Sequence, residues 1–180
     1  PFIPPVFPGL TEEVLCRHPA DAAVYVLSRN SGEGTDRRAV PGDYYLSEQE
    51  ISDITLLAGQ YQKFVLLLNV GGVVELSPVK DLPGAIVLMG QGGIGCGDAV
   101  AAVLSGKMNP SGRLAATWAV RYADYPCADG FGEKFDSYYK EGVFVGYRWF
   151  DSLGKAVLYP FGYGLSYTTF ALSIQDTKLY

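Results

Sequence analysis

Three nearly unbroken apolar runs limit what this chain can fold into: "AAVYVL" at 22–27, "FVLLL" at 64–68 and "AIVLM" at 85–89. Each has strand length, and each lacks the alternation that would leave one face in water. Such runs suit a parallel sheet covered on both faces. The helices needed to cover it are readable between them. "LSEQEISDITLLAGQY" carries a capping box, Ser47 with Glu50, and a stripe of Ile51, Ile54, Leu57 and Ala58. "GDAVAAVLSG" is a second helix closed by Gly106, and "LTEEVLCRH" a short first one with Thr11 as N-cap. "GRLAATWA" is expected to add a fourth strand. The fold class is therefore α/β, a mostly parallel sheet with helices on both faces.

Beyond Trp118 the texture changes. The stretch 122–151 is rich in Tyr, Phe and Gly and carries few helix signals, so short strands over the surface are expected. "TFALSI" near the end alternates like the opening strand of an all-β unit. Proline-rich "PFIPP" reads as a linker. The division that follows is 1–20, linker and short helix; 21–160, the α/β unit; and 161–180, the start of the β unit.

Composition excludes several function classes. Hydrophobic residues make up 48% of 180 and the net charge is -5 with no basic run, which argues against nucleic acid as a partner. No apolar run is long enough to span a bilayer. No basic n-region precedes an apolar one, and the three cysteines are scattered, so a cytoplasmic location is favoured. With His18 as the one histidine, a His-rich metal site is ruled out and a Ser-His-Asp triad is disfavoured. No metal or cofactor is expected.

A parallel sheet gathers its chemistry at the carboxyl ends of its strands. Three loops are expected at that edge: "SGEG" after the first strand, "NVGG" after the second and "GQGG" after the third. "GQGGIG" matches a dinucleotide-binding pattern. It follows the third strand rather than the first, and no acid lies between Asp98 and Asp124 to hold a ribose. Glu33 stands between two glycines, flanked by Arg29, Asp36 and Arg37. A glycosidase needs such a carboxylic acid to protonate the leaving oxygen, with a second carboxylate across the bond. A solvated turn would use the same residues. Tyr138, Tyr139, Tyr147, Trp149 and Phe150 form an aromatic group that suits either sugar stacking or a core.

Together, "SRNSGEGTDR", "NPSGRLAATWA", "YYKEGVFVGYRWFD" and "YPFGYGLSYTTF" resemble glycoside hydrolase family 3, the β-glucosidase family. The likeness runs from about Asp21 to Phe170. It implies the second, α/β sandwich domain of these enzymes, followed by the start of a fibronectin type III-like domain. It further implies that Glu33 is the general acid/base and that Arg29, Asp36 and Arg37 hold its loop. Tyr147 and Trp149 become candidates for a place near substrate. The implied partners are a β-glucoside or oligosaccharide substrate and a (β/α)8 barrel domain carrying the nucleophilic aspartate. Relatives commonly have "GQEGG" where this chain has "GQGGIG", and "PFGHGLSY" where it has Tyr163. A non-catalytic carbohydrate-binding module is the alternative reading.

Overall fold

The computed structural model describes residues 8–30, 36–133, 135–136 and 138–178. The "PFIPP" linker and the candidate acid Glu33 lie outside the described residues.

The first helix, α1 (Glu12–Arg17), begins where expected. The Thr11 hydroxyl accepts the Val14 N–H, and acidic residues in the first turn with Arg17 in the last complement the helix dipole. Strands β1 (Ala23–Ser28), β2 (Phe64–Asn69) and β3 (Ala85–Leu88) form one parallel sheet in the order β1-β2-β3. Helix α2 (Glu48–Gln60) makes the crossover between β1 and β2. Its capping box closes in both directions: Ser47 Oγ accepts the Glu50 N–H, and Glu50 accepts the Ser47 N–H. The expected stripe then faces the sheet. Ile54 and Leu57 pack with Leu27, Phe64, Leu66 and Leu68, and the β2–β3 connection adds Val70, Val74, Leu76 and Val79.

Burial on both faces holds for β2 alone. It is the central strand, and Leu67 on the far face is as buried as Leu66 on the near one. At the edge, β1 leaves Val24 and Val26 about half exposed, at 48% and 52%. A continuous apolar run marks a strand here, but an edge position limits how much of it the described residues cover. Helix α3 (Cys96–Leu104) likewise has no buried residue. It ends at Ser105, and Gly106 takes the left-handed conformation (φ +75°) that terminates many helices.

The second half corrects two expectations. "GRLAATWA" does not extend the parallel sheet. Its strand β4 (Trp118–Ala119) pairs antiparallel with β5 (Val157–Tyr159) in a separate two-stranded sheet. The returning chain continues this contact: Leu114 and Tyr163, then Gly162 and Leu114, exchange backbone hydrogen bonds of 2.8 Å. The segment before β5 is also not made of short strands. It holds 3-10 turns at Tyr122–Asp124 and Ala128–Gly130 and a helix, α4 (Tyr147–Ser152), whose Phe150 is buried. Glycine at 146, with φ +61°, turns the chain into α4. Among the described residues, "TFALSI" pairs with no strand.

Candidate active site

Because β1, β2 and β3 are parallel, their carboxyl ends Ser28, Asn69 and Leu88 share one edge. "SGEG" lies outside the described residues, but Arg29, which leads into it, and the second and third loops come together there. The Arg29 N–H donates to the Asn69 carbonyl at 3.1 Å. Gly71 lies against the end of the Gln91 side chain, where a Cβ would sit 2.6 Å from its Oε1, so the second and third loops touch. "GQGG" thus forms an exposed turn whose Gln91 side chain reaches the neighbouring loop.

Glu33 belongs to the loop that leaves β1, and both roots of that loop are clamped. On the β1 side, Arg29 is buried. Its Nη1 and Nη2 donate to both Glu50 oxygens at 2.7 and 2.8 Å, and its Nε to the Asp43 carbonyl at 2.6 Å. Glu50 is also the capping residue of α2. One carboxylate therefore ties the strand end to the helix start. Forked, charge-assisted bonds of this kind fix geometry strongly. On the far side, Arg37 binds the Asp43 carboxylate at 2.8 Å, the Asp43 carbonyl at 2.6 Å and the Val73 carbonyl at 2.9 Å. Burial would raise the Asp43 pKa, but the Arg38 backbone N–H and the Arg37 guanidinium outweigh it and hold this carboxyl below its ordinary value. Asp36 is exposed; the carboxylate that Arg37 holds is that of Asp43. Each clamping arginine is matched by its own carboxylate.

Beside Arg37 opens a cavity of about 700 Å³. Its inner wall is Tyr44, Tyr122 and Tyr125, and described residues between Cys127 and Glu141, among them Phe131, Tyr138 and Tyr139, form its outer rim. Burial pushes the Tyr44 and Tyr125 hydroxyls up, so both stay neutral. The Cys127 thiol donates to Glu141 Oε2 at 2.9 Å, and that bond, with burial, raises its pKa. A thiol held protonated in this way is no ready nucleophile. Among the described residues no cluster of three or more His, Cys, Asp or Glu could hold a metal. No described helix is long and apolar enough to cross a membrane.

The five aromatic residues 138, 139, 147, 149 and 150 do not form one group. Tyr138 and Tyr139 line the cavity and are exposed. Tyr147 instead stacks on Phe161 at 5.0 Å and lines a second, smaller cavity of about 330 Å³ with Phe150. Trp149 donates its indole N–H to the Asp124 carbonyl at 3.0 Å and lies under Lys155 Nζ. Neither Tyr147 nor Trp149 borders the cavity beside Arg37. Sequence reasoning missed Asp43, which sits in "PGDYY" without any local signal. Glu50 was legible only as a helix cap.

Comparison with known proteins places the fold in a family. Residues 9–167 match the family model described as the glycosyl hydrolase family 3 C-terminal domain. Beta-glucosidase A of Butyrivibrio fibrisolvens is 38% identical over 195 residues, covering 92% of this chain and 24% of that protein. An exo-alpha-(1->6)-L-arabinopyranosidase of Bifidobacterium longum is 39% identical over 145 residues, covering 78% of this chain and 18% of that one. The crystal structure of a beta-glucosidase from Paenibacillus barengoltzii superposes with a TM-score of 0.87 at 36% identity, covering 94% of this chain and 19% of its own. The chain spans about a quarter or less of these relatives' length. Its α/β architecture is that of its structural neighbours, and the chain belongs to glycosyl hydrolase family 3, as its C-terminal domain.

Proposed function

We propose that this chain is the acid/base-bearing domain of a retaining β-glycosidase, acting on terminal β-linked glucosyl residues. The observation that carries the reading is the double clamp: Arg29 on Glu50 and Arg37 on Asp43 fix both roots of the loop that bears Glu33. Family membership supports placing the general acid on that loop. In the mechanism, Glu33 protonates the leaving oxygen. A nucleophilic aspartate on a barrel domain outside this sequence attacks the anomeric carbon and forms a glycosyl-enzyme. Glu33, now a carboxylate, takes a proton from the water that releases the sugar. Retention requires the two carboxyl groups to be about 5–5.5 Å apart.

The sugar is a separate matter. Two relatives of nearly equal identity carry names for different glycones, a glucoside and an arabinopyranoside. That supports placing the glycone pocket outside this domain. On this reading the chain alone has no turnover on an aryl β-glucoside.

The test is Glu33→Gln in the full-length enzyme. General acid catalysis contributes roughly 10²–10⁴-fold. The expected loss of that order falls on methyl β-glucoside, while 2,4-dinitrophenyl β-glucoside, which needs no proton to depart, keeps its first step. Azide, acting in place of the activated water, restores turnover of the second substrate. Equal loss on both substrates, with no azide effect, overturns the acid/base role.

A further inference from the structure

We infer that Asp43 is a positioning residue for the general acid, because the chain on both sides of the acid loop converges on it. This rests on the reading of Glu33 as that acid and deepens it.

Two arginines frame the loop, Arg29 where the chain leaves β1 and Arg37 where it returns. Both reach the same oxygen. The Asp43 carbonyl accepts Arg29 Nε and Arg37 Nη2, each at 2.6 Å, which occupies both of its lone pairs. The Asp43 carboxylate takes the returning chain at two further points, Arg37 Nε at 2.8 Å and the Arg38 N–H at 2.7 Å. One residue therefore sets the span between the loop's roots. Two guanidinium groups drawn to one carbonyl repel each other. Glu50 neutralises the first and the Asp43 carboxylate the second. Without that carboxylate the carbonyl remains, but two cations then face one anion and the roots are pushed apart.

Asp43 is itself held in place. Residues 38–45 fold back on themselves: the Tyr44 N–H donates to the Arg38 carbonyl at 3.1 Å, and the Gly42 N–H to the Tyr45 carbonyl at 2.9 Å. The buried Tyr44 ring meets Tyr45 and Tyr122 edge-on, and the Tyr44 carbonyl accepts the Glu75 N–H at 2.9 Å. Gly42 takes φ +80°, where a side chain would be strained. The turn thus fixes Asp43 against the β2–β3 connection, and Asp43 fixes the roots of the loop. Misplacing a reacting group by about 1 Å can cost on the order of a hundredfold in rate. For a proton donor, that cost falls on leaving groups that need the proton.

The experiment uses the full-length enzyme. It reads the ratio of kcat/KM for methyl β-glucoside, whose leaving group needs a proton, to that for 2,4-dinitrophenyl β-glucoside, whose leaving group does not. The ratio is independent of how much enzyme is folded, and a purely structural role does not move it. Asp43→Ala is expected to lower it about tenfold, part of the roughly 10²–10⁴-fold that general acid catalysis supplies. Asp43→Asn, which keeps one acceptor oxygen, lowers it less. Gly42→Ala, which removes no atom of Asp43 but strains its turn, also lowers it. Leu66→Ala, a destabilising change in the core, leaves it unchanged. A ratio lowered by Glu33→Gln but not by Asp43→Ala or Gly42→Ala overturns the inference and leaves Glu33 as the acid. A ratio that Leu66→Ala lowers as much as Asp43→Ala overturns it too. A ratio lowered by Asp43→Ala and Gly42→Ala but not by Glu33→Gln sinks Glu33 and leaves Asp43 positioning a different proton donor. A ratio that none of these changes moves overturns both.

Discussion

In residues 23–79, buried aliphatic side chains such as Ile54, Leu66 and Val74 face one another across α2 and β2. In residues 118–163 only Trp118, Ala119 and Phe150 are buried among the described residues, and single pairs hold the chain: a Trp149 indole on a carbonyl, a Tyr147 ring on Phe161, an Arg121 on Asp124. The first region is a rigid mount. The second is a set of turns whose large rings remain available. The two-carboxylate site proposed for this domain asks for this division. The acid must be aimed within tenths of an ångström. The turns of the second region can vary without disturbing the mount.

The two regions should break differently. The largest effect is expected from Arg29→Ala, which leaves the largely buried Glu50 carboxylate at the start of α2 with the Ser47 N–H but no cation. Losing one member of such a pair costs about 3–5 kcal/mol. Urea denaturation of the chain measures it, and a loss below about 1 kcal/mol would show the clamp to be ornamental. Leu66→Ala, at a fully buried position in β2, should cost about 3 kcal/mol through lost packing and the cavity left behind. Trp149→Phe removes one hydrogen bond and weakens one cation–π contact, so about 1 kcal/mol is expected. Equal costs for Leu66→Ala and Trp149→Phe would erase the distinction between the two regions.

The same contrast explains what could be read from the sequence. In the first region, periodicity and caps are local signals, and they located α1, α2, α3 and the three parallel strands. The gathering of loops at one edge followed from parallel topology. What could not be read depends on contacts between distant residues. Arg29 meets Glu50 across 21 positions, and β4 finds β5 rather than β3 because the chain returns along 157–163. "YRWFDS" contains bulky and aromatic residues with little helix preference, and its helix follows from the turn at Gly146 and the burial of Phe150. Likewise the five clustered aromatics of 138–150 separate because α4 carries three of them away from the cavity rim.

The smallest effect tests the far clamp through pH. Asp43 has a folded pKa below the ordinary 3.8. A depressed carboxyl pKa contributes stability that is fully present above the unfolded value and is lost as pH falls through the folded one. Asp43→Asn removes that contribution, along with the charge that holds Arg37. At pH 7 the variant should therefore be less stable than the parent. The gap should narrow as pH drops below about 4, because the parent then loses the same interaction by protonation. Asp124 is also depressed, by Arg121, but it is present in both proteins and cancels in the difference. Urea midpoints at pH 7, 5 and 3 decide the matter. A gap that stays constant with pH would assign the effect of Asp43→Asn to packing. The hold on Arg37 would then rest on the Asp43 and Val73 carbonyls, which do not titrate.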